Sequence, residues 1–149
     1  MEKYNKALAT GATVTVPVQP VLGSPLVSGS PVLLTDNYQI TAADNGKTFM
    51  IATDAKVISL PATIADFEVT IINSGAAGNN IVTVSPVAAD GIAGTITLAA
   101  TIVTRVGTVD VDLVNTKASA TFGNSVKLKG TGVTGTGAWF ILSSTGIWA

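Results

Sequence analysis

The chain of 149 residues contains no histidine and no cysteine. Without these side chains, nucleophilic catalysis of the Ser–His–Asp or Cys–His kind is excluded. A zinc site would have to consist of carboxylates alone, which is uncommon. Disulfides are excluded as well, and with them any indication of the redox compartment. We therefore predict no catalytic residue, no metal site and no cofactor, and a protein that is not an enzyme.

Charge is scarce. Charged residues make up 11% of the chain, against roughly 25% in an average globular domain. The formal net charge is -1 and no basic patch or stripe exists, so nucleic acid is not expected as a partner. So few charges leave the surface partly apolar. Such a surface is usually covered by a sister subunit or a larger assembly.

Long hydrophobic runs are missing, although the mean hydropathy is +0.52. No stretch approaches the ~18 apolar residues of a membrane span, so no membrane partner is expected. The polar first residues are followed by a segment that threonine and glycine interrupt, which is not typical of a signal peptide. We expect synthesis in a cytoplasm and, at this length, one domain with its own core.

Residues 1–35 differ from the rest of the chain because they hold four of its six prolines. Proline lacks the N–H that a central strand needs. The valines and leucines between Val14 and Ser30 disfavour a freely solvated tail. The composition predicts an extended N-terminal arm that docks on a surface. A disordered tail, or a segment of the domain itself, is the alternative.

From residue 36 onward, short runs rich in β-branched residues alternate with turn sequences about every 8–12 residues. This pattern predicts an all-β domain over residues 36–149, an antiparallel β-sandwich or barrel of jelly-roll-like type. Strands are predicted at residues 48–52, 57–60, 68–73, 81–85, 95–98, 102–106, 109–113, 125–129 and 138–143. Turns are predicted at residues 44–46, 74–75, 78–79, 90–91 and 123–124. A single helical turn near residues 63–66 is the most helix expected.

Two glycine motifs look like nucleotide-binding loops but lack the required context. Gly46-Lys47-Thr48 has Thr41 where a phosphate-binding loop needs glycine, and a strand follows where that loop needs a helix. Residues 130–135 match the spacing of a dinucleotide fingerprint, but no βαβ unit surrounds them. We interpret the first as a turn and the second as a flexible hairpin tip.

Asp110 and Asp112 lie two positions apart in a strictly alternating run. On a strand their carboxylates would share one face about 7 Å apart, a separation that glycosidase carboxylates also show. A solvated strand face is the favoured interpretation. A subunit or ion contact, or a hydrolase pair, is the alternative.

Both tryptophans, Trp139 and Trp148, lie near the C-terminus. Trp139 and Ile141 share one face of a predicted strand, whereas Phe140 and Leu142 share the other. A strand that is apolar on both faces is usually buried on both, so core or subunit packing is favoured over a sugar-binding platform.

Several segments in a fixed order carry a family resemblance. They are residues 40–49, 59–62, 67–73, 81–86 and the Asp-Gly-Ile-x-Gly turn at 90–94. A closing pattern follows at Val126, Leu128, Gly137, Trp139 and Ile141. This order, over about three-quarters of the chain, resembles a module common in tailed-phage virion proteins. Where that module has a short turn before its tryptophan, this chain has the longer stretch 130–137.

The resemblance implies a structural virion protein with no catalytic residues to carry over. Members are capsid decoration (cement) proteins, head fibres or tail-fibre segments, and are often trimeric. We therefore expect a homotrimer on the capsid surface of the virion, with the major capsid protein as its partner. The alternative is a head- or tail-fibre module that binds a host surface receptor or glycan.

Overall fold

The computed structural model describes residues 29–98 and 101–149. Eleven strands are present in these residues, together with a 3-10 helix at Ala42–Asp44. The strands are β1 (Val32–Leu34), β2 (Tyr38–Gln39), β3 (Thr48–Ile51), β4 (Lys56–Ser59), β5 (Glu68–Asn73), β6 (Val82–Ser85), β7 (Asp90–Leu98), β8 (Thr101–Arg105), β9 (Leu113–Asn115), β10 (Asn124–Gly130) and β11 (Gly135–Thr145). The predicted all-β sandwich is confirmed.

The strands form two sheets, and both are mixed. The larger sheet has the order β1–β3–β5–β10–β11–β7–β8 and the smaller one β2–β4–β6–β9. Consecutive strands from β1 to β6 alternate between the sheets, so every second strand returns to the same sheet in the same direction. The prediction of purely antiparallel pairing is therefore wrong. The antiparallel pairs are β5–β10, β10–β11, β7–β8 and β6–β9, whereas β7–β11 is parallel.

The core lies between the sheets and follows the period-2 pattern of the strands. Every second residue of β5 and of β10 is buried, while the residues between them are half-buried. Ile58, Val84 and Leu113 of the smaller sheet face this layer and are fully buried. Burial of the alternate residues fixes the register, because a shift by one residue would expose the whole apolar set.

Most predicted strands are found, and β5 has the predicted bounds. The strand predicted at 109–113 is wrong, because Asp110 adopts a positive φ of 59° and β9 begins only at Leu113. The turn predicted at 90–91 is also wrong, since both residues belong to β7. The turn before β10 and the one at Asn45–Gly46 are present.

The end of the predicted arm belongs to the larger sheet. Val32–Leu34 form the edge strand β1, which pairs parallel with β3. Pro31 directly precedes this strand, a position at which proline removes no central ladder bond. The boundary predicted at residue 36 therefore falls after the first strand instead of before it. The remainder of the arm, residues 1–28, lies outside the described residues.

Four buried asparagines tie the two sheets together at one end of the sandwich. Asn73 of β5 donates to the Asn115 side chain of β9 at 2.7 Å and accepts from Asn80 at 2.8 Å. Asn115 in turn donates to Asn124 of β10. Because the four amides satisfy one another and nearby carbonyls, they close the core with a polar layer at little desolvation cost. The turn chemistry of the sequence gave no indication of this buried layer.

Candidate interaction surface

The outer face of the larger sheet is the candidate interaction surface. The smaller sheet covers its inner face, so the alternate residues of each strand point away from the core. This outer face divides into two halves of different chemistry. The half formed by β3, β5 and β10 is charged, whereas the half formed by β11, β7 and β8 is uncharged and exposes several apolar side chains among threonines and serines.

The charged half, which we call the ion-paired surface, consists of Lys47, Glu68, Lys127 and Lys129. Lys127 contacts Glu68 at 2.6 Å, and the two lie diagonally across β5 and β10. Lys129 contacts Asp66 at 3.0 Å and Glu68 at 3.9 Å. The hydrogen bond from Lys127 holds the pKa of Glu68 below its ordinary value. Each lysine here therefore already has a partner within the chain.

Beneath Lys47 lies the buried carboxylate of Asp44. It accepts hydrogen bonds from the Thr41 backbone at 2.8 Å, the Thr41 hydroxyl and Tyr38 Oη, and it contacts Lys47 Nζ at 2.8 Å. Burial raises the pKa of Asp44, but the bonds from Lys47 and Thr41 outweigh this effect and hold the pKa below its ordinary value. The carboxylate is therefore an anchor for the turn before β3.

A shallow depression of about 170 Å³ opens on the ion-paired surface. Its lining includes residues 46–48, 68–70 and Lys127. Gly46-Lys47-Thr48 thus lines a concave site. Its conformation is the predicted one, a turn followed by β3. The lysines of the depression are neutralised by Asp44 and Glu68, which leaves little positive charge to hold a phosphate.

The other half, which we call the apolar surface, consists of Ile102, Val106, Phe140 and Leu142. Their exposed fractions are 75%, 79%, 47% and 48%. Phe140 pairs in register with Lys129 on one side and Ala93 on the other. It therefore stands where the two halves meet. Leu142 lies between Ile141 and Ser143 in β11. A β-bulge there leaves Leu142 without a partner on β10.

Close backbone approaches position the apolar surface. A side chain on Gly107 would meet the Thr136 carbonyl oxygen of β11 at 1.6 Å, and one on Gly94 would meet Ile141 Cβ at 2.8 Å. Gly94 also has a φ of +141°, which side-chain-bearing residues rarely adopt. Glycine at these two positions lets β7, β11 and the segment after β8 pack directly together. The apolar surface thus lies on tightly packed backbone.

Arg105 is the one charged residue of β8, and its charge is directed into the protein. Its Nε donates to the Ile92 carbonyl at 3.1 Å, and its Nη2 donates to the carbonyls of Val111 and Asp112 at 3.0 and 2.7 Å. The guanidinium is therefore occupied by backbone acceptors, and the outer side of β8 carries threonine and isoleucine.

Asp110 and Asp112 do not lie on one strand, as the alternating run predicts that they would. Asp110 lies in a turn, where its backbone N–H bonds to the Asp90 carbonyl. Asp112 is exposed and precedes β9. The prediction that the two carboxylates share one strand face is wrong, because the positive φ of Asp110 reverses the chain there.

Both tryptophans are fully buried. Trp139 packs edge-to-face on Phe67 with ring centroids 5.7 Å apart, and Trp148 donates from its indole nitrogen to the Thr145 carbonyl. Neither indole presents a face on which a sugar could stack. In the single chain β11 is buried on its inner face only, since Phe140 and Leu142 are about half exposed. Subunit packing of its outer face stays a prediction.

The glycine-rich stretch 130–137 is packed against the loop before β5. A side chain on Gly130 would meet the Ile64 carbonyl oxygen at 2.4 Å, and one on Gly132 would meet Ala65 at 2.9 Å. The Thr63 hydroxyl accepts hydrogen bonds from the backbone of Thr131 and Gly132. The stretch forms the tip of the β10–β11 hairpin, as predicted, and these contacts hold its first residues against the loop.

Within the described part of the chain, no cluster of three or more acidic side chains is placed to hold a metal ion. No helix in residues 29–98 or 101–149 is long and apolar enough to cross a membrane.

Comparisons with known proteins found no matching family model, no matching curated protein and no matching solved structure.

Proposed function

We propose that this protein is a structural component of a phage virion, a decoration protein that binds the capsid shell and stabilises it. The observation that supports this proposal is the apolar surface on an otherwise sparsely charged sandwich. Ile102 and Val106 are three-quarters exposed, which is costly for a chain that remains alone in water. The order of sequence segments that resembles phage virion modules points to the capsid as the surface that covers them.

The proposed mechanism is mechanical. Burial of apolar area stabilises by about 25 cal/mol per Å², so a contact of about 1,600 Å² supplies on the order of tens of kcal/mol before association costs. Many copies on one shell then act together. Phe140 and Leu142 suit the centre of such a contact, because aromatic and aliphatic side chains there displace water and leave no buried charge unpaired.

Co-sedimentation with capsid shells tests the proposal. Purified full-length chain should pellet with shells assembled from the major capsid protein of the same phage, and binding should saturate. Deletion of residues 1–30 should leave a folded β domain that no longer pellets, if the arm docks as the sequence predicts. A full-length chain that stays in the supernatant would overturn the proposal. Unimpaired pelleting of the truncated chain would overturn only the role of the arm.

The resemblance also predicts the number of copies. Light scattering of a homotrimer would give three times the 15.0 kDa chain mass. This measurement separates the assembly of the protein from its attachment to a shell.

A further inference from the structure

Strand β8 lies at an edge of the larger sheet, and no strand in residues 29–98 or 101–149 pairs with its outer side. The described residues contain four edge strands: β1, β8, β2 and β9. Natural proteins protect such edges by keeping them short, covering them, or placing proline or outward charges on them. An edge without these features offers its backbone N–H and C=O groups to another strand.

The other three edges show such protection. β1 has three residues and follows Pro31, and β2 has two residues. The outer side of β9 is covered by the C-terminal residue, because Val114 and Ala149 exchange backbone hydrogen bonds of 2.8 and 2.9 Å. β8 has five residues, contains no proline, and directs its one charged side chain away from the outer face.

The side chains of β8 suit a contact with an identical strand. Val103 pairs with buried Ile96 and packs against the core, so Ile102 and Thr104 point to the outer face. In such a pair each residue lies opposite its own copy or a residue near it in sequence. A charged side chain on the strand would therefore meet a like charge, which destabilises the pair. Threonine, isoleucine and valine impose no such repulsion, and the Arg105 guanidinium is already held by three backbone carbonyls.

We propose that β8 pairs antiparallel with β8 of a second copy of this chain, about a two-fold axis through Val103. This register overlaps all five residues of the strand and places Ile102 opposite Thr104 of the second copy. The contact is isologous, so the pair closes without leaving a further β8 edge open. The two larger sheets become continuous, and their apolar surfaces lie side by side. The contact itself does not require the capsid.

Disulfide trapping tests this register, because the chain has no cysteine of its own. In the proposed pair the two Val103 Cβ atoms lie directly opposite, about 4.5–5.5 Å apart, close to the separation that a disulfide needs. Val103→Cys should therefore become a covalent dimer under mild oxidation. Leu33→Cys, on the opposite edge and 61% exposed, is the matched control and should remain monomeric. Equal cross-linking of both variants, or none by folded Val103→Cys, would overturn the inference.

A charge at the edge gives the second test. The β8 contact doubles the mass of the assembly that forms without it, so a 15.0 kDa chain should scatter as two chain masses and a homotrimer as six. Ile102→Lys should halve the mass in either case, while Leu33→Lys changes nothing. Circular dichroism verifies that both variants fold. A trimer mass that Ile102→Lys does not alter overturns the β8 contact and leaves the virion proposal intact. If Ile102→Lys keeps the mass but abolishes pelleting with shells, β8 pairs with the capsid protein and the inference is wrong.

Discussion

The two halves of the outer face belong to one sheet but are held in different ways. On the ion-paired surface, Lys127 and Lys129 bridge to Glu68 and Asp66 across neighbouring strands. On the apolar surface, Ile102 and Phe140 have no comparable partner among the described residues, and both remain substantially exposed. The charged half satisfies itself, whereas the apolar half gains stability only when something covers it.

This difference indicates where the molecule meets other chains. Surface ion pairs are worth little and tolerate water, so the ion-paired surface has no energetic need for a partner. The apolar surface lies on a rigid support, because Gly94 and Gly107 allow backbone contact underneath it. A preformed apolar surface loses little conformational entropy on binding, which favours its use as a contact.

The largest expected effect concerns the support of the apolar surface. Gly107→Ala places a Cβ atom 1.6 Å from the Thr136 carbonyl oxygen, so the backbone has to move. We expect a loss of about 3 kcal/mol or more in the free energy of unfolding, as overpacking against backbone gives. Urea denaturation measures it. Gly29→Ala is the control, since a side chain there meets nothing within 4 Å, and an equal loss in both variants would contradict the account.

The next effect concerns binding by the apolar surface. Phe140→Ala should weaken pelleting with shells by about 2 kcal/mol or more, roughly thirty-fold, as expected for a central aromatic contact residue. Its thermal stability should change much less, because the side chain is about half exposed in the free protein. Phe122→Ala is the control on an exposed aromatic residue away from this sheet face. Similar losses from both substitutions would remove the distinction between the surfaces.

The buried carboxylate beneath the ion-paired surface should make the stability of the fold depend on pH in the acid range. Asp44 has a lowered pKa in the folded state, so its contribution to stability is complete above the ordinary carboxyl range near 4 and is lost as the pH falls through the lower folded-state pKa. Asp44→Asn should cost about 1.5–3 kcal/mol at pH 7 and less at pH 3. Urea midpoints at the two pH values test this. A loss that is independent of pH would contradict the proposed role of the charge.

The smallest effect is expected from Glu68→Gln. Loss of its contacts with Lys127 and Lys129 should destabilise the fold by less than about 1 kcal/mol, because both ion pairs are partly exposed and screened. The difference should shrink further in high salt, and pelleting with shells should remain unchanged. Impaired shell binding by this variant would place the contact on the ion-paired surface and contradict the account.

Local features of the fold could be predicted from the sequence, whereas its long-range pairing could not. The alternation in residues 68–73 fixes both the bounds and the faces of β5, because the period of two is a local property. Whether two short strands form a hairpin or cross between sheets depends on packing partners distant in sequence. For this reason the mixed sheets were not predicted.

The same limit applies to individual residues. Val109–Leu113 alternates as a strand does, but the chain turns at Asp110 and Arg105 binds the backbone that follows. The buried role of Asn73 and Asn115 depends on two sheets meeting at one end. From its low charge content, the sequence predicted only that part of the surface is apolar. The residues that form the apolar surface could not be named, because they depend on the order of β11, β7 and β8.

The most direct test of the central claim is hydroxyl-radical footprinting of the chain, free and bound to capsid shells. We predict that Phe140 and Leu142 become protected on the shell, while Phe122 and Leu33, which are 71% and 61% exposed, keep the reactivity they have in the free protein. Unchanged reactivity of Phe140 and Leu142 in shell-bound protein would contradict the claim that the apolar surface is the contact.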